Sequence, residues 1–298
     1  MAASELLKHL EEFGEIVKPR QPLAAHTVFK VGGAAEVLVQ PRTPAELANV
    51  VRRCFERKLP MRVLGGGCNI LVRDEGVPGV IVRLNEPAFA QVTVTGQRVH
   101  AGSGVTLRAL ISETARHGLA GLETLVGTVG TVGGALRHNA GDRSGEIGHF
   151  VRRVEIMDTS GRTQARERDD LQFSYRTSNL DDPVILAGEF ELERDSESAI
   201  VKRMRKAWIQ RKARQPFSFQ AAGRIFKNPR GLSAAALIEQ AGLVGTRVGG
   251  AVVSDRDANF IIAEPNASVR DILRLIDLVR ARVQERFQVE LELEISIW

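Results

Sequence analysis

Two glycine-rich runs are the residues best suited to binding chemistry in this 298-residue chain. The first reads Leu64-Gly65-Gly66-Gly67-Cys68-Asn69 and follows an apolar stretch, Met61 to Leu64, that has strand character. Consecutive glycines let backbone N–H groups turn toward one anion, because no Cβ blocks close approach, and a diphosphate is the natural guest. A tight turn at a strand end accounts for the same residues equally well. The second run, Gly127-Thr128-Val129-Gly130-Thr131-Val132-Gly133-Gly134, is followed by Asn139-Ala140-Gly141. Its G-x-x-G-x-x-G-G spacing is not the dinucleotide fingerprint, and no βαβ unit with a downstream acid surrounds it, so a Rossmann domain is not supported. Two such loops suggest one extended ligand held at two points; a loop that only packs on a sheet is the plainer reading.

Charged residues offer the second kind of chemistry. Arg176 sits in Tyr175-Arg176-Thr177-Ser178, where a surface strand arginine is the ordinary meaning. Glu290, Glu292 and Glu294 alternate along an apparent terminal strand, Val289 to Trp298, which puts all three on one face. Seven basic residues lie between Lys202 and Arg214, Arg211 and Lys212 among them, and suit either an anionic ligand or a solvated helix face. Asn228 stands before Pro229, where a turn residue is expected.

The elements that must position these residues change character along the chain. In the first third, Val37 to Val39 reads as a strand, Pro44 opens a helix with Leu47, Val50, Val51, Cys54 and Phe55 on one face, and two further strands cover Met61 to Leu64 and Gly79 to Leu84. The middle third predicts a hairpin around Gly96-Gln97, a helix from about Thr106, and strands over Val151 to Asp158 and Val184 to Leu192. A helix from Ser196 to about Arg214 carries Ile200, Met204 and Trp208 on its apolar side and stops at Gln215-Pro216. A short helix spans Ser233 to Ala241, and a longer one starts at Ser268 with Asp271 as capping-box partner. Boundaries near 85 and 205 divide the chain into 1–85, 86–205 and 206–298.

Composition narrows the function classes. Hydrophobic residues make up 43% and charged residues 26%, ordinary for a globular protein. No apolar run is long enough for a membrane span, and the N-terminus, with four glutamates in its first 19 residues, is not a signal peptide, so a cytoplasmic location is expected. The two cysteines build no disulfide framework, and the six histidines show no metal-ligand spacing, so no metal is expected. A net charge of +5 favours an anionic ligand slightly, while one Tyr and two Trp give few stacking platforms for nucleic acid.

Taken in order, the motifs resemble those of the UDP-N-acetylenolpyruvoylglucosamine reductases, the MurB family. They begin at His26-Thr-Val-Phe-Lys30-Val-Gly32-Gly33 and continue through the Gly65 loop and GLETLVGTVGTVGGALRHNAGDRSGEIG from Gly121. There follow Phe173-Ser-Tyr175-Arg176-Thr-Ser178, Gly223-Arg-Ile-Phe226-Lys227-Asn228-Pro229, Leu237-Ile-Glu239-Gln-Ala241-Gly242, the run from Val253 to Phe260, and Leu291-Glu292-Leu-Glu294. The resemblance covers roughly 20–298. It implies an α+β fold: a two-part FAD-binding region of the vanillyl-alcohol-oxidase (PCMH) type in 1–85 and 86–205, then a C-terminal α+β substrate-binding domain in 206–298. Length and the single tyrosine fit the subclass without the extra tyrosine-bearing loop.

The activity implied is reduction of UDP-N-acetylglucosamine enolpyruvate to UDP-N-acetylmuramate, with FAD bound and NADPH as transient co-substrate, in a cytoplasmic enzyme of peptidoglycan synthesis expected to be a monomer. By the same resemblance, Gly65, Gly66, Gly67, Cys68 and Asn69 bind the cofactor together with Gly127, Gly130, Thr131, Gly133 and Gly134, and with Ala140 and Gly141. Tyr175, Lys212, Lys227 and Asn228 bind substrate. Arg176 is the cation that stabilises the enolate, and Glu294 works beside it.

One departure falls at the reacting centre. The family places Ser, or sometimes Cys, before the hydrophobic-Phe-Lys-Asn-Pro run as proton donor; here the position is Arg224. Arginine is always charged and far bulkier. Three readings stay open: water or another hydroxyl supplies the proton, Arg224 itself serves, or the chain is an FAD- and UDP-sugar-binding homologue with impaired or lost activity. The family's proline before Gly130 is also missing, and Asp257 stands where the family has His.

Overall fold

The computed structural model describes residues 3–142, 144–216 and 221–298; Arg143, inside the motif that starts at Gly121, and residues 217–220 lie outside it. The seven helices among the described residues are α1 (Ala3–Lys8), α2 (Pro44–Glu56), α3 (Leu107–Arg116), α4 (Val132–Arg137), α5 (Glu197–Arg214), α6 (Ala234–Gln240) and α7 (Val269–Phe287). Helices and mostly antiparallel sheets give α+β character. The chain forms two compact units: Met1–Gln21, Glu36–Gly66 and Pro78–Ile209 make one, and Pro22–Ala35, Gly67–Val77 and Gln210–Trp298 make the other.

The first unit holds two sheets and two cores. A four-stranded sheet orders Val17–Pro22, Ala34–Val39, Val77–Arg83 and Met61–Leu64, with the last two parallel. Helix α2 covers it. Its Thr43 side chain accepts from Glu46 N–H, Pro44 fills the first turn where no donor is needed, and Leu47, Val50, Val51 and Cys54 are buried, whereas Phe55, expected on the same face, is 46% exposed at the helix end. Burial pushes the Cys54 thiol up to about 12, so it is an inert core group.

The second sheet is antiparallel, in the order Thr163–Glu167, Val151–Met157, Val184–Glu191, Arg98–Gly102 and Val92–Thr95. The hairpin expected at Gly96-Gln97 forms. The strand Thr163–Glu167 does not show in the hydrophobic pattern, because all five of its residues are exposed and it lies at a sheet edge. Leu107, Leu110 and Ile111 of α3 enter a core with Val132 and Leu136 of α4. Helix α5 departs from expectation on its apolar side: Ile200 is buried, but Trp208 is 40% exposed and Ile209 67% exposed. Its periodicity carries a buried face only through the first turns.

The second unit packs α6 and α7 against a four-stranded antiparallel sheet ordered Ala222–Arg224, Phe260–Ala263, Ala251–Val253 and Arg247–Val248. In α7 the Ser268–Asp271 capping box is present, and Ile272, Leu275, Ile276, Val279 and Val283 are all buried. Leu275→Ala in this face costs about 2–5 kcal/mol from lost transfer energy plus the cavity. Phe29 and Leu71, far upstream in sequence, belong to this same core. The terminal strand is much shorter than Val289 to Trp298: only Ser296–Ile297 pairs, parallel to Ile70–Leu71, and Leu293 makes an isolated bridge to Phe226.

Candidate active site

In the first unit the 61–64 strand delivers the chain into Gly65. A Cβ added to Gly65 would sit 2.6 Å from Thr131 Oγ1, so the two glycine loops abut. The second loop is laced to the segment before α3: Leu107 N–H donates to Gly130 O at 3.0 Å, Val132 N–H to Val105 O at 2.8 Å and Gly133 N–H to Ser103 O at 3.0 Å. The Gly133 amide is therefore spent on backbone. The tip differs. Gly130 has φ +128, a Cβ there would meet nothing within 4 Å, and the neighbouring Val129 is 62% exposed. Val129 stands at the family's proline position. Bare backbone at the Gly130 tip, which opens onto free space beside the abutting Gly65 loop, fits an elongated anionic cofactor.

Beyond α4 the same run continues into Asn139, Ala140 and Gly141. His138 caps the helix, and its ring is held below the usual histidine range by burial first, then by the Arg137 and Arg176 charges. Asn139 is fully buried with φ +45. Its Nδ2 donates to Glu146 Oε2 at 2.7 Å and to Ser174 O at 3.0 Å, while its Oδ1 accepts from Gly148 N–H at 3.1 Å. Gly141 and Asp142 pair antiparallel with Gly145 and Glu146.

Arg176 occupies a two-residue turn. Phe173–Ser174 pairs antiparallel with Thr177–Ser178, leaving Tyr175 and Arg176 at the bend. Arg176 has φ +59, and its Nη1 donates to the Gly141 carbonyl. Its guanidinium also lies 5.5 Å from the Tyr175 ring centroid, and Tyr175 is 45% exposed. The structure thus brings Arg176, Tyr175 and Gly141 together in one unit, next to the helix that follows the Gly130 loop.

The second unit holds the other charged candidates. Arg224 Nε lies 3.7 Å from Glu294 Oε2, with the two side chains 26% and 14% exposed. They meet because Glu294 N–H donates to Ile225 O and Lys227 N–H to Glu292 O, which sets 292–294 beside 225–227. The three alternating glutamates do not share one environment. Glu290 and Glu292 are largely exposed partners of Arg280 and Lys227, and Glu294 alone turns inward. Asn69 Nδ2 donates to the Glu294 carbonyl at 2.9 Å. The Gly67 carbonyl accepts from Val28 N–H, and burial raises the neighbouring Cys68 thiol. Asn228 Oδ1 accepts from Ala234 N–H at 3.0 Å, at the start of α6, and Lys212 is exposed on α5.

Two positioning residues escaped the reading of the sequence even though both lie inside quoted motifs. Asn139 is one. Asn259 is the other: buried, it accepts from Phe226 N–H at 2.9 Å and donates to Phe226 O at 2.8 Å, replacing a strand partner beside Arg224. Asp257 also has a structural account. Its Oδ1 accepts from Asn259 N–H at 2.9 Å, an Asx turn that presents Asn259.

The chain is similar to known proteins over most of its length. Residues 215–298 match the family model described as UDP-N-acetylenolpyruvoylglucosamine reductase, C-terminal domain, and residues 35–165 match one described as FAD binding domain. A protein of Moorella thermoacetica named UDP-N-acetylenolpyruvoylglucosamine reductase is 39% identical over 95% of this chain and 93% of its own. One of the same name from Syntrophobacter fumaroxidans is 41% identical over 94% of this chain and 83% of its own. The crystal structure of the reductase of that name from Thermus caldophilus superposes with a TM-score of 0.82 at 37% identity, covering 95% of this chain and 98% of that one.

Proposed function

The chain belongs to the UDP-N-acetylenolpyruvoylglucosamine reductase family, and on that premise we propose that it reduces UDP-N-acetylglucosamine enolpyruvate to UDP-N-acetylmuramate, using FAD and NADPH, in peptidoglycan precursor synthesis. The observation that carries the reading is the pair of abutting glycine loops inside the stretch that matches an FAD binding domain. A silent flavin- and UDP-sugar-binding homologue is not favoured, since the similarity to named reductases spans nearly the whole chain.

Bound flavin supplies the two-electron reduction. The chain's part is to hold, orient and neutralise. Gly65, Gly66, Gly127, Gly130, Thr131 and Gly134 offer backbone or hydroxyl to the cofactor; Gly67, Cys68, Asn69, Gly133, Ala140 and Gly141 complete the loops that carry them. Reduction of an enolpyruvyl group builds negative charge on its carboxylate as an enolate. We assign Arg176 to that charge, where a fixed cation stabilises the transition state more than the ground state. We assign Glu294, whose ion-pair partner is Arg224, to the same reaction. Protonation of the adjacent carbon falls to water or another hydroxyl, because a permanently charged guanidinium is a poor proton donor. General acid catalysis contributes about a hundred- to ten-thousandfold, so this loss leaves room for turnover. Tyr175, Lys212, Lys227 and Asn228 bind the nucleotide portion. We further assign the enzyme to the cytoplasm, as a monomer, in the wall synthesis that supports cell shape and division.

Anaerobic stopped-flow spectroscopy tests the proposal. Reduced protein should reoxidise rapidly on mixing with the enolpyruvyl nucleotide and slowly without it. Reoxidation indifferent to that nucleotide refutes the assignment.

A further inference from the structure

A hairpin of two residues per strand does not sustain itself, since even full-length isolated hairpins are marginal in water. The turn bearing Arg176 is such a hairpin, and Arg176 adds a left-handed backbone at φ +59. Its support must come from outside. One strand is tied through Asn139 Nδ2 to Ser174 O at 3.0 Å, and the other through Ser178 Oγ to Arg137 O at 2.9 Å. Both ties end on the residues that close α4, the helix growing from the Gly130 loop. Asn139 also holds Glu146 and Gly148, which carry the strand opposite Gly141, and Gly141 O accepts from Arg176 Nη1. A single fully buried amide thus meets the cofactor loop, the Arg176 hairpin and the strand that receives the guanidinium.

We propose that Asn139 is a positioning residue that fastens the Arg176 hairpin to the second glycine loop, so that Arg176 is aimed by the same segment that holds the cofactor. The inference rests on the reading of Arg176 as the cation facing the enolate. Its physical basis is that an amide side chain is neutral and offers two donors and an acceptor, so one buried group satisfies three backbone or carboxylate partners without adding a charge beside Arg176.

Asn139→Asp tests it without opening a cavity. The variant keeps the volume and the acceptor for Gly148 N–H, loses both donors, and sets a carboxylate against Glu146. Flavin binding and flavin reduction by NADPH should be unchanged, whereas reoxidation by the enolpyruvyl nucleotide should slow about 100-fold, the effect of a misplacement near 1 Å. In an Arg176→Ala background the same change should slow reoxidation no further. Adding Glu146→Gln to Asn139→Asp removes the carboxylate repulsion but returns no donor to Ser174 O, so it should restore only part of the rate. An independent reporter is available because Tyr175 is the chain's single tyrosine. Fluorotyrosine-labelled protein should give one fluorine NMR signal that shifts and broadens in Asn139→Asp and recovers only in part in the double variant.

Unchanged reoxidation, or slowing that simply adds to that of Arg176→Ala, overturns the inference. If Arg176→Ala alone leaves reoxidation intact, the assignment of Arg176 falls, and the fluorine signal decides whether Asn139 still holds the hairpin. If Asn139→Asp fails to retain flavin, Ser178→Ala takes its place. That variant should slow reoxidation about tenfold with a shifted fluorine signal, consistent with losing one hydrogen bond, and no change in either overturns the tie.

Discussion

Replacing Arg224 by serine supplies the small hydroxyl that the family resemblance leads one to expect at this position, yet the structure predicts a slower enzyme. Arg224 Nε is 3.7 Å from Glu294 Oε2, and both side chains are largely buried. On the proposed role of Glu294, removing the guanidinium leaves its carboxylate to meet an incoming enolpyruvyl carboxylate without the cation that offsets it. Two unit charges about 4 Å apart interact by roughly 4 kcal/mol at an effective dielectric of 20. Partial exposure and the long contact reduce this to about 1–2 kcal/mol, a factor of about ten or somewhat more. The expected outcome for Arg224→Ser is a KM for the enolpyruvyl nucleotide raised about tenfold and slower reoxidation, with reduction by NADPH untouched.

Single-turnover reoxidation at several nucleotide concentrations separates binding from chemistry. The serine hydroxyl could itself donate a proton, and a general acid is worth about a hundredfold or more. The competing effects therefore have opposite signs. If Arg224→Ser speeds reoxidation, protonation limits the native enzyme, and the pairing of Arg224 with Glu294 is a handicap rather than a working part. Arg224→Ser with Glu294→Gln then locates the fault: repulsion predicts that the second change restores nucleotide affinity.

Three further outcomes follow from the geometry. His138 is held below its ordinary range by burial and by two arginine charges, so between its folded value and about 6.5 the unfolded chain binds the extra proton. Stability is thus lost as pH falls through that window, and His138→Gln should flatten urea-unfolding stability there; an unchanged pH slope refutes the cause. Asn259→Ala orphans the Phe226 N–H and C=O, two buried groups at about 1–3 kcal/mol each, so urea unfolding should show a loss of roughly 2–5 kcal/mol. Gly65→Ala places a Cβ 2.6 Å from Thr131 Oγ1, and forcing the loops apart should weaken FAD binding about tenfold in fluorescence titration. Thr131→Ala in that background should recover part of the loss.

Much of this was legible because it is local. Pro44 at the start of α2, Ser268 with Asp271, and the helix from about Thr106 are signals written within one or two turns, and each forms as read. What resisted reading is long-range. Alternation of Glu290, Glu292 and Glu294 implied one face, but the segment bridges only at Leu293, opposite Phe226, and its side chains turn to different neighbours. Trp208 continues the spacing of Ile200 and Met204, yet nothing in that spacing says where the core stops. Phe29 and Leu71 enter the core of α7 from segments more than 190 residues upstream of that helix, a placement no window of local pattern contains.

The motif asparagines divide labour with the charged residues in a way composition conceals. Asn69 donates to the carbonyl of Glu294, Asn139 to the carbonyl of Ser174 two residues before Arg176, and Asn259 brackets Phe226 two residues after Arg224. In each case the amide grips main chain near a charge and leaves that charge unaltered. A carboxylate or a cation in the same place would shift the electrostatics it is meant to steady. A hydroxyl would offer a single donor and so could not hold two partners as Asn139 Nδ2 does. The sequence pattern that reads as a ligand-binding signature therefore includes, at these three positions, amides that hold main chain beside Arg176, Arg224 and Glu294. Substituting one of these charged residues should alter chemistry, and substituting its amide should alter the same step through geometry.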